Sequence, residues 1–173
     1  MSKKIKYLII HCTATNKGVD IQPEKVKQWH TAAPPKGRGW SRVGYSDLIL
    51  LDGTRHKFVE HNNDLFIDNS EITWGVASIN SIARHVCYVG GVDPKTKKGL
   101  NTLTDEQDWV LQDIIVEVLN YAPDVLIAGH NQFDNKACPS FWVPEYLRLN
   151  GCPERNIYTA DPFKWAKRGM NRG

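Results

Sequence analysis

At 173 residues, with 41% hydrophobic residues and six Trp, six Tyr and five Phe, the chain suits one globular domain with its own core, and disorder is excluded as the default. A net charge of +3 from 22 basic and 19 acidic residues is too small to make nucleic acid the main partner. The excess lies from Pro153 onward, where Arg155, Lys164, Lys167, Arg168 and Arg172 stand against Glu154 and Asp161; a basic extension, 153–173, of this kind is ordinarily a solvated terminus.

Cys12, Cys87, Cys138 and Cys152 are far apart and form no CxxC pair, so no disulfide framework is expected. The first apolar run, Tyr7 to Ile10, is too short for a signal peptide, and nothing reaches transmembrane length. Synthesis in the cytoplasm is expected, with another route out if the target lies beyond the membrane.

Ile5 to His11 is short, β-branched and mostly apolar, which predicts a buried strand ending in a histidine. A loop is expected over Thr13 to Gly18. Pro23 suits the first turn of a helix through Glu24, Val26 and Trp29, and Pro34-Pro35 must stop it by Ala33. Lys36-Gly37-Arg38-Gly39 reads as a flexible basic loop. Val43 to Leu51 predicts a strand with Tyr45 near its start, and Asp52-Gly53 a hairpin turn into Thr54 to Val59. Asn62 to Ser81 is polar, turn-rich and without a period; such a segment in a small domain often walls a site.

Val86 to Val89 predicts another buried strand, closed by Gly90-Gly91 and followed by a lysine-bearing loop, Asp93 to Gly99. The clearest helix spans Thr104 to Tyr121. Thr104 and Gln107 make a capping box, and Val110, Leu111, Ile114, Ile115, Val118 and Leu119 form one apolar stripe. Val125 to Ala128 predicts a strand that delivers His130 just outside the core, and Phe141 to Leu149 a short helix with Gly151 as its stop. Strands and helices alternate with one hairpin between them. This pattern predicts a single α/β domain, a mixed central sheet with helices packed on it.

His11 and His130 each follow an apolar run, and Cys138 with Lys136 comes shortly after His130. Imidazole and thiolate are ligands that zinc prefers, and three of them leave one coordination position open. The expectation is one zinc ion per chain, held by His11, His130 and Cys138 at the ends of two neighbouring strands.

Several pieces then occur in a specific order: Ile9-Ile10-His11-Cys12-Thr13-Ala14-Thr15, Val26-Lys27-Gln28-Trp29-His30, Gly39-Trp40 with Val43-Gly44-Tyr45, and Asp52-Gly53-Thr54. They continue with Asn80-Ser81-Ile82, Cys87-Tyr88-Val89-Gly90-Gly91-Val92-Asp93, Thr104 with Gln107, and Lys136-Ala137-Cys138-Pro139-Ser140-Phe141. Together they resemble the zinc-dependent N-acetylmuramoyl-L-alanine amidases, the family of the lysozyme-like amidase of bacteriophage T7 and the peptidoglycan recognition proteins. Each piece is weak alone; their common register is specific.

The resemblance implies an amidase catalytic domain over 1–152 in which His11, His130 and Cys138 bind zinc and Tyr45 and Lys136 are the catalytic side chains. The implied reaction is hydrolysis of the amide between the lactyl group of N-acetylmuramic acid and the L-alanine of the stem peptide. Peptidoglycan or muropeptides would be the partner of a monomer acting as an endolysin or autolysin. Lys136 would stabilise the oxyanion. Tyr45, its phenol made easier to ionise beside zinc, would orient the water or carry its proton, and Trp40 and Trp74 are candidates for stacking on sugar. A zinc endopeptidase of the stem peptide, or a peptidoglycan-binding or polymerase-regulating protein on the same fold, are the alternatives.

Two departures touch the substrate contacts. The family often carries a Trp-His pair where this chain has Trp74-Gly75, and Ala83-Arg84-His85 lengthens the approach to Val86. Ordinary packing roles are expected elsewhere: Cys12, Cys87, Trp29, Trp109 and Trp142 in the core, His30 against the end of its helix, and His56 and His61 exposed.

Overall fold

The structure, a computed structural model, describes residues 1–166; Lys167, Arg168 and Arg172 of the basic extension lie outside the described residues. Its strands are β1 (Lys3–Lys4), β2 (Tyr7–Cys12), β3 (Thr15–Asn16), β4 (Asp47–Ile49), β5 (Arg55–Lys57), β6 (Phe66–Ile67), β7 (Ala83–Tyr88), β8 (Gly91–Val92) and β9 (Leu126–Gly129). The α-helices are α1 (Pro23–Thr31), α2 (Asp105–Tyr121) and α3 (Val143–Leu149). The central sheet has the order β5-β4-β7-β2-β9. β2 runs parallel to β7 and β9, β4 parallel to β7, and β5 returns antiparallel through the Asp52-Gly53 turn. This is the expected mixed sheet; β1 pairs with β6, and β3 with β8, outside it.

Side-chain alternation along β2 sorts the two faces. Leu8, Ile10 and Cys12 join Val86, Tyr88 and Ile127 in a core closed by Leu111, Ile114, Ile115 and Val118 of α2 and by Val143 and Leu147 of α3. Ile9 lies on the opposite face with Ala128, and Cys87 and Leu48 meet Val26 of α1 there. His11 shares that second face, beside Cys87 in the register. Each large aliphatic side chain buried contributes about 1.5–3 kcal/mol, so truncating the fully buried Ile114 to Ala costs about 2–5 kcal/mol.

The capping box of α2 forms as expected, with Thr104 Oγ1 accepting from the Gln107 backbone N–H and Gln107 Oε1 accepting from that of Thr104. Gln107 has a second use. Its Nε2 donates to the carbonyls of Ile49 and Val89, which clips the start of the helix to the ends of β4 and β7.

Several expectations are corrected. The strand expected over Val43 to Leu51 is confined to Asp47–Ile49, because the backbone before it is engaged elsewhere: Gly44 N–H donates to His30 Nδ1 and Trp74 N–H to the Val43 carbonyl. The loop at Thr13 to Gly18 contains β3. β7 begins at Ala83, so the apparent insertion is regular strand, pairing Leu8 with Arg84 and Ile9 with His85. Trp109 is 65% exposed; it precedes Leu111 by two residues, about 200° around the helix, and so faces away from the apolar stripe. The His61 side chain is only 3% exposed. Buried Glu71 accepts the backbone N–H groups of Asn62 and Asp68 and folds this loop inward with His61. His56 is half-buried, edge-on to Phe58. Trp29 and Trp142 are half-buried rather than central, whereas Cys12, Cys87 and His30 are buried.

After Gly151 the chain returns to the β9 edge. Asn156 Nδ2 donates to the carbonyls of Pro123 and Val125, Ile157 bridges Ile127, and Tyr158 stacks on Phe133. Among the described residues no helix is long and apolar enough to cross a membrane.

Candidate metal centre

Neighbouring parallel strands deliver the two histidines to one end of the sheet. Ile10 pairs with Gly129, so the next residues, His11 and His130, come side by side with their Nδ1 atoms 3.1 Å apart. Cys138 returns on the turn that follows: its carbonyl accepts from Asn131 N–H, and its Sγ lies 3.7 Å from His11 Nδ1. Cys12 N–H donates to that sulfur at 3.2 Å.

All three ligand atoms lie within 4.8 Å of one another. Zn–N bonds of about 2.0–2.1 Å and a Zn–S bond of about 2.3 Å, arranged tetrahedrally, separate such atoms by roughly 3.3–3.6 Å, so the residues fit a metal ion. Burial holds both imidazoles below their usual range, His11 far below it, which leaves them neutral with lone pairs available. Burial pushes the Cys138 thiol up, so capture of a cation displaces its proton.

Beside this cluster opens a cleft of about 360 Å³ lined by Trp40, Tyr45, Trp74, His130, Asp134 and Lys136. The Tyr45 ring lies 5.1 Å from those of His11 and His30. Trp40 stacks on His30 at 5.2 Å and meets Trp74 edge-on at 6.1 Å, with the Arg38 guanidinium 5.1 Å from its centroid. Burial, followed by the charge of the Cys87 side chain, pushes the Tyr45 pKa well above that of a free phenol, whereas a cation bound at the neighbouring cluster would act in the opposite sense.

No protein-family model matches the chain. The endolysin of Klebsiella phage KP32 is 36% identical to it over 144 residues, 83% of this chain and 85% of that one. The endolysin of Enterobacteria phage K11 is 33% identical over 139 residues, 80% and 83% of the two chains. The chain belongs to the phage endolysin family. Among solved structures, the N-acetylmuramoyl-L-alanine amidase LysC of Clostridium intestinale URNW matches with a TM-score of 0.64 at 19% identity over 87% of each chain, a likeness of fold.

In this endolysin-family chain the structure adds residues to those expected around the site. Asp134 Oδ2 lies 2.9 Å from His130 Nε2 and 3.6 Å from Lys136 Nζ, linking a ligand to the neighbouring cation. His85 Nδ1 lies 3.0 Å from His11 Nε2. His30, expected only to pack, also lines the cleft. Asp134 lies four residues after His130, and the 3₁₀ turn at His130–Gln132 brings it back. The signal for His85 was alternation: a strand begun at Ala83 puts residues 83, 85 and 87 on one face.

Proposed function

We infer that the chain is a zinc-dependent N-acetylmuramoyl-L-alanine amidase serving as a phage endolysin, which cleaves the amide between the lactyl group of N-acetylmuramic acid and the L-alanine of the stem peptide. The observation that carries this reading is the convergence of His11, His130 and Cys138 beside an open cleft in a chain of the endolysin family. Those three residues would hold the zinc ion, which when bound supplies Lewis acidity toward water and the scissile carbonyl.

The remaining work falls to side chains of the cleft. Lys136 brings an ammonium group to the same wall as His130, where it offsets the negative charge that develops on the carbonyl oxygen. Asp134, between His130 and Lys136, orients both. Tyr45, its ring 5.1 Å from that of His11, would orient the attacking water or carry its proton. Trp40 and Trp74 offer the apolar faces on which a sugar ring would stack, and Arg38, also on the cleft wall, lies 5.1 Å from the Trp40 ring centroid.

The test is to incubate the purified chain with muropeptides, with and without a chelator, and to identify products by mass spectrometry alongside metal stoichiometry. Free stem peptides beginning with L-alanine, lost on chelation and restored by zinc, support the amidase. Cleavage inside the stem peptide would transfer the assignment to an endopeptidase. Zinc bound with no cleavage would favour a peptidoglycan-binding or polymerase-regulating protein.

A further inference from the structure

The two departures from the family pattern meet at one point. Gly75 packs directly on the ring of His85: a Cβ at position 75 would lie 2.4 Å from His85 Nδ1, 2.6 Å from its Cγ and 2.9 Å from the Gly44 carbonyl oxygen. Any larger residue at position 75 therefore competes with His85 for the same space. Among the described residues the ring so accommodated has one hydrogen-bond partner, His11 Nε2, at 3.0 Å from Nδ1, and its Nε2 is buried without a partner. His85 itself is fully buried.

We propose that His85 is a positioning residue for the metal centre: its Nδ1 accepts the Nε2–H of His11, which fixes the tautomer and ring orientation of that ligand, and Gly75 provides the room. The argument is geometric. His11 turns Nδ1 toward His130 and Cys138, so Nδ1 must carry the lone pair for a cation and the proton must sit on Nε2. With Nε2 as donor, His85 Nδ1 is the acceptor and the His85 proton moves to the unpartnered Nε2. A buried donor left unmet costs stability, which fits a residue retained for the site, not for the fold.

The other two ligands have their own supports. His130 has Asp134, whose side chain is 47% exposed, and Cys138 Sγ has the Cys12 N–H. At His11 the support is fully buried, and a neutral imidazole accepts a hydrogen bond there without the desolvation cost of a carboxylate. His85 thus completes a set in which each ligand is oriented by a group of a different chemical type.

The inference rests on the metal reading above, and the experiment separates the two. Zinc affinity would be measured by chelator competition for the wild-type chain, His85→Phe, His85→Gln and Gly75→Ala, with the melting temperature of each metal-free chain. The His11 ring nitrogens would be followed by ¹⁵N NMR in the same metal-free samples. His85→Phe keeps a ring but has no acceptor, whereas His85→Gln restores one. The expected results are an exchange-protected His11 Nε2–H in wild type, lost in His85→Phe, and zinc binding about 10–100-fold weaker in His85→Phe. Gly75→Ala should weaken zinc in the same direction, and His85→Gln should recover most of the loss. An unchanged His11 proton and unchanged zinc affinity in His85→Phe would overturn the proposal, as would equal losses in His85→Phe and His85→Gln. Were wild type to bind no zinc while showing the protected Nε2–H, the metal reading would fall and the tautomer assignment would stand. If His85→Phe does not fold, Gly75→Ala and His85→Gln decide by the same two readouts.

Discussion

Arg84 and His85 are consecutive on β7 and face opposite sides of the sheet, and each belongs to a buried polar cluster. Arg84, 2% exposed, donates to Asp47, Glu117 and Tyr121, while Arg55 bonds the same two carboxylates and shares Asp47 Oδ1 and Glu117 Oε1 with it. Burial opposes the Arg84 charge, yet Asp47 and the Tyr121 hydroxyl hold its pKa above the usual guanidinium value. On the other face, the Nδ1 atoms of His11 and His130 and the Cys138 sulfur converge, and the Cys12 N–H donates to that sulfur. Both clusters are buried and polar. Only the second has the donor set of a metal site, which under the proposed function a zinc ion would complete. Burial of polar groups does not by itself mark a candidate site in this molecule; atoms of metal-ligand type that converge do.

The comparison breaks most decisively at Cys138. Cys138→Ala removes the thiolate and should weaken zinc binding by more than about 100-fold, beyond the range for an outer-shell residue, and abolish wall lysis while the metal-free chain still folds. Chelator competition and a turbidity assay measure both; tight zinc in this variant would show that the ion sits elsewhere. Arg84→Ala should do the reverse. Leaving Asp47 buried and partly unpaired costs about 3–5 kcal/mol by denaturant titration, with the folded fraction keeping its turnover.

Within the site, Lys136→Ala and Tyr45→Phe should each lower turnover about 100- to 1000-fold with zinc stoichiometry unchanged. Near-normal rates in either would remove that residue from the proposed chemistry.

Acid sharpens the contrast from the structural side. Burial lowers the His61 pKa to about 4, and the hydrogen bond from Arg55 lowers that of Glu117 to about 2. Both folded values lie below the unfolded ones, so the folded chain binds fewer protons and stability falls on acidification. Melting temperatures of the metal-free chain should decline below about pH 6.5 through His61 together with His11, His30, His85 and His130, whose pKa values burial also lowers, and from about pH 4.5 toward 2 through Glu117. His61→Gln should make the upper part of that curve shallower and leave the lower part unchanged. The smallest effect belongs to Trp109→Ala, expected within about 0.5 kcal/mol because its indole packs on no core; a large loss would mean that this face of α2 is covered.

The stripe on α2, its Thr104–Gln107 cap, the strands leading to His11 and His130 and the three candidate ligand residues that converge there were all legible in the sequence. They follow from local rules: period 3.6 for a helix, short β-branched runs for strands, and donor chemistry for the metal. What escaped was set by contacts distant in sequence. Tyr45 precedes its strand because Gly44 bonds to α1 and Val43 to Trp74, and His61 is buried because Glu71 gathers its loop.

By itself, then, the sequence determined an α/β domain, its longest helix, the family pattern and a set of ligands of the right chemistry. Only the tertiary structure decided that Ile10 lies opposite Gly129, which brings His11 beside His130, and that Gly75 gives up its volume to His85. The physical reason is the same for both. Strand register and side-chain exclusion act between residues tens of positions apart, where no local propensity carries information.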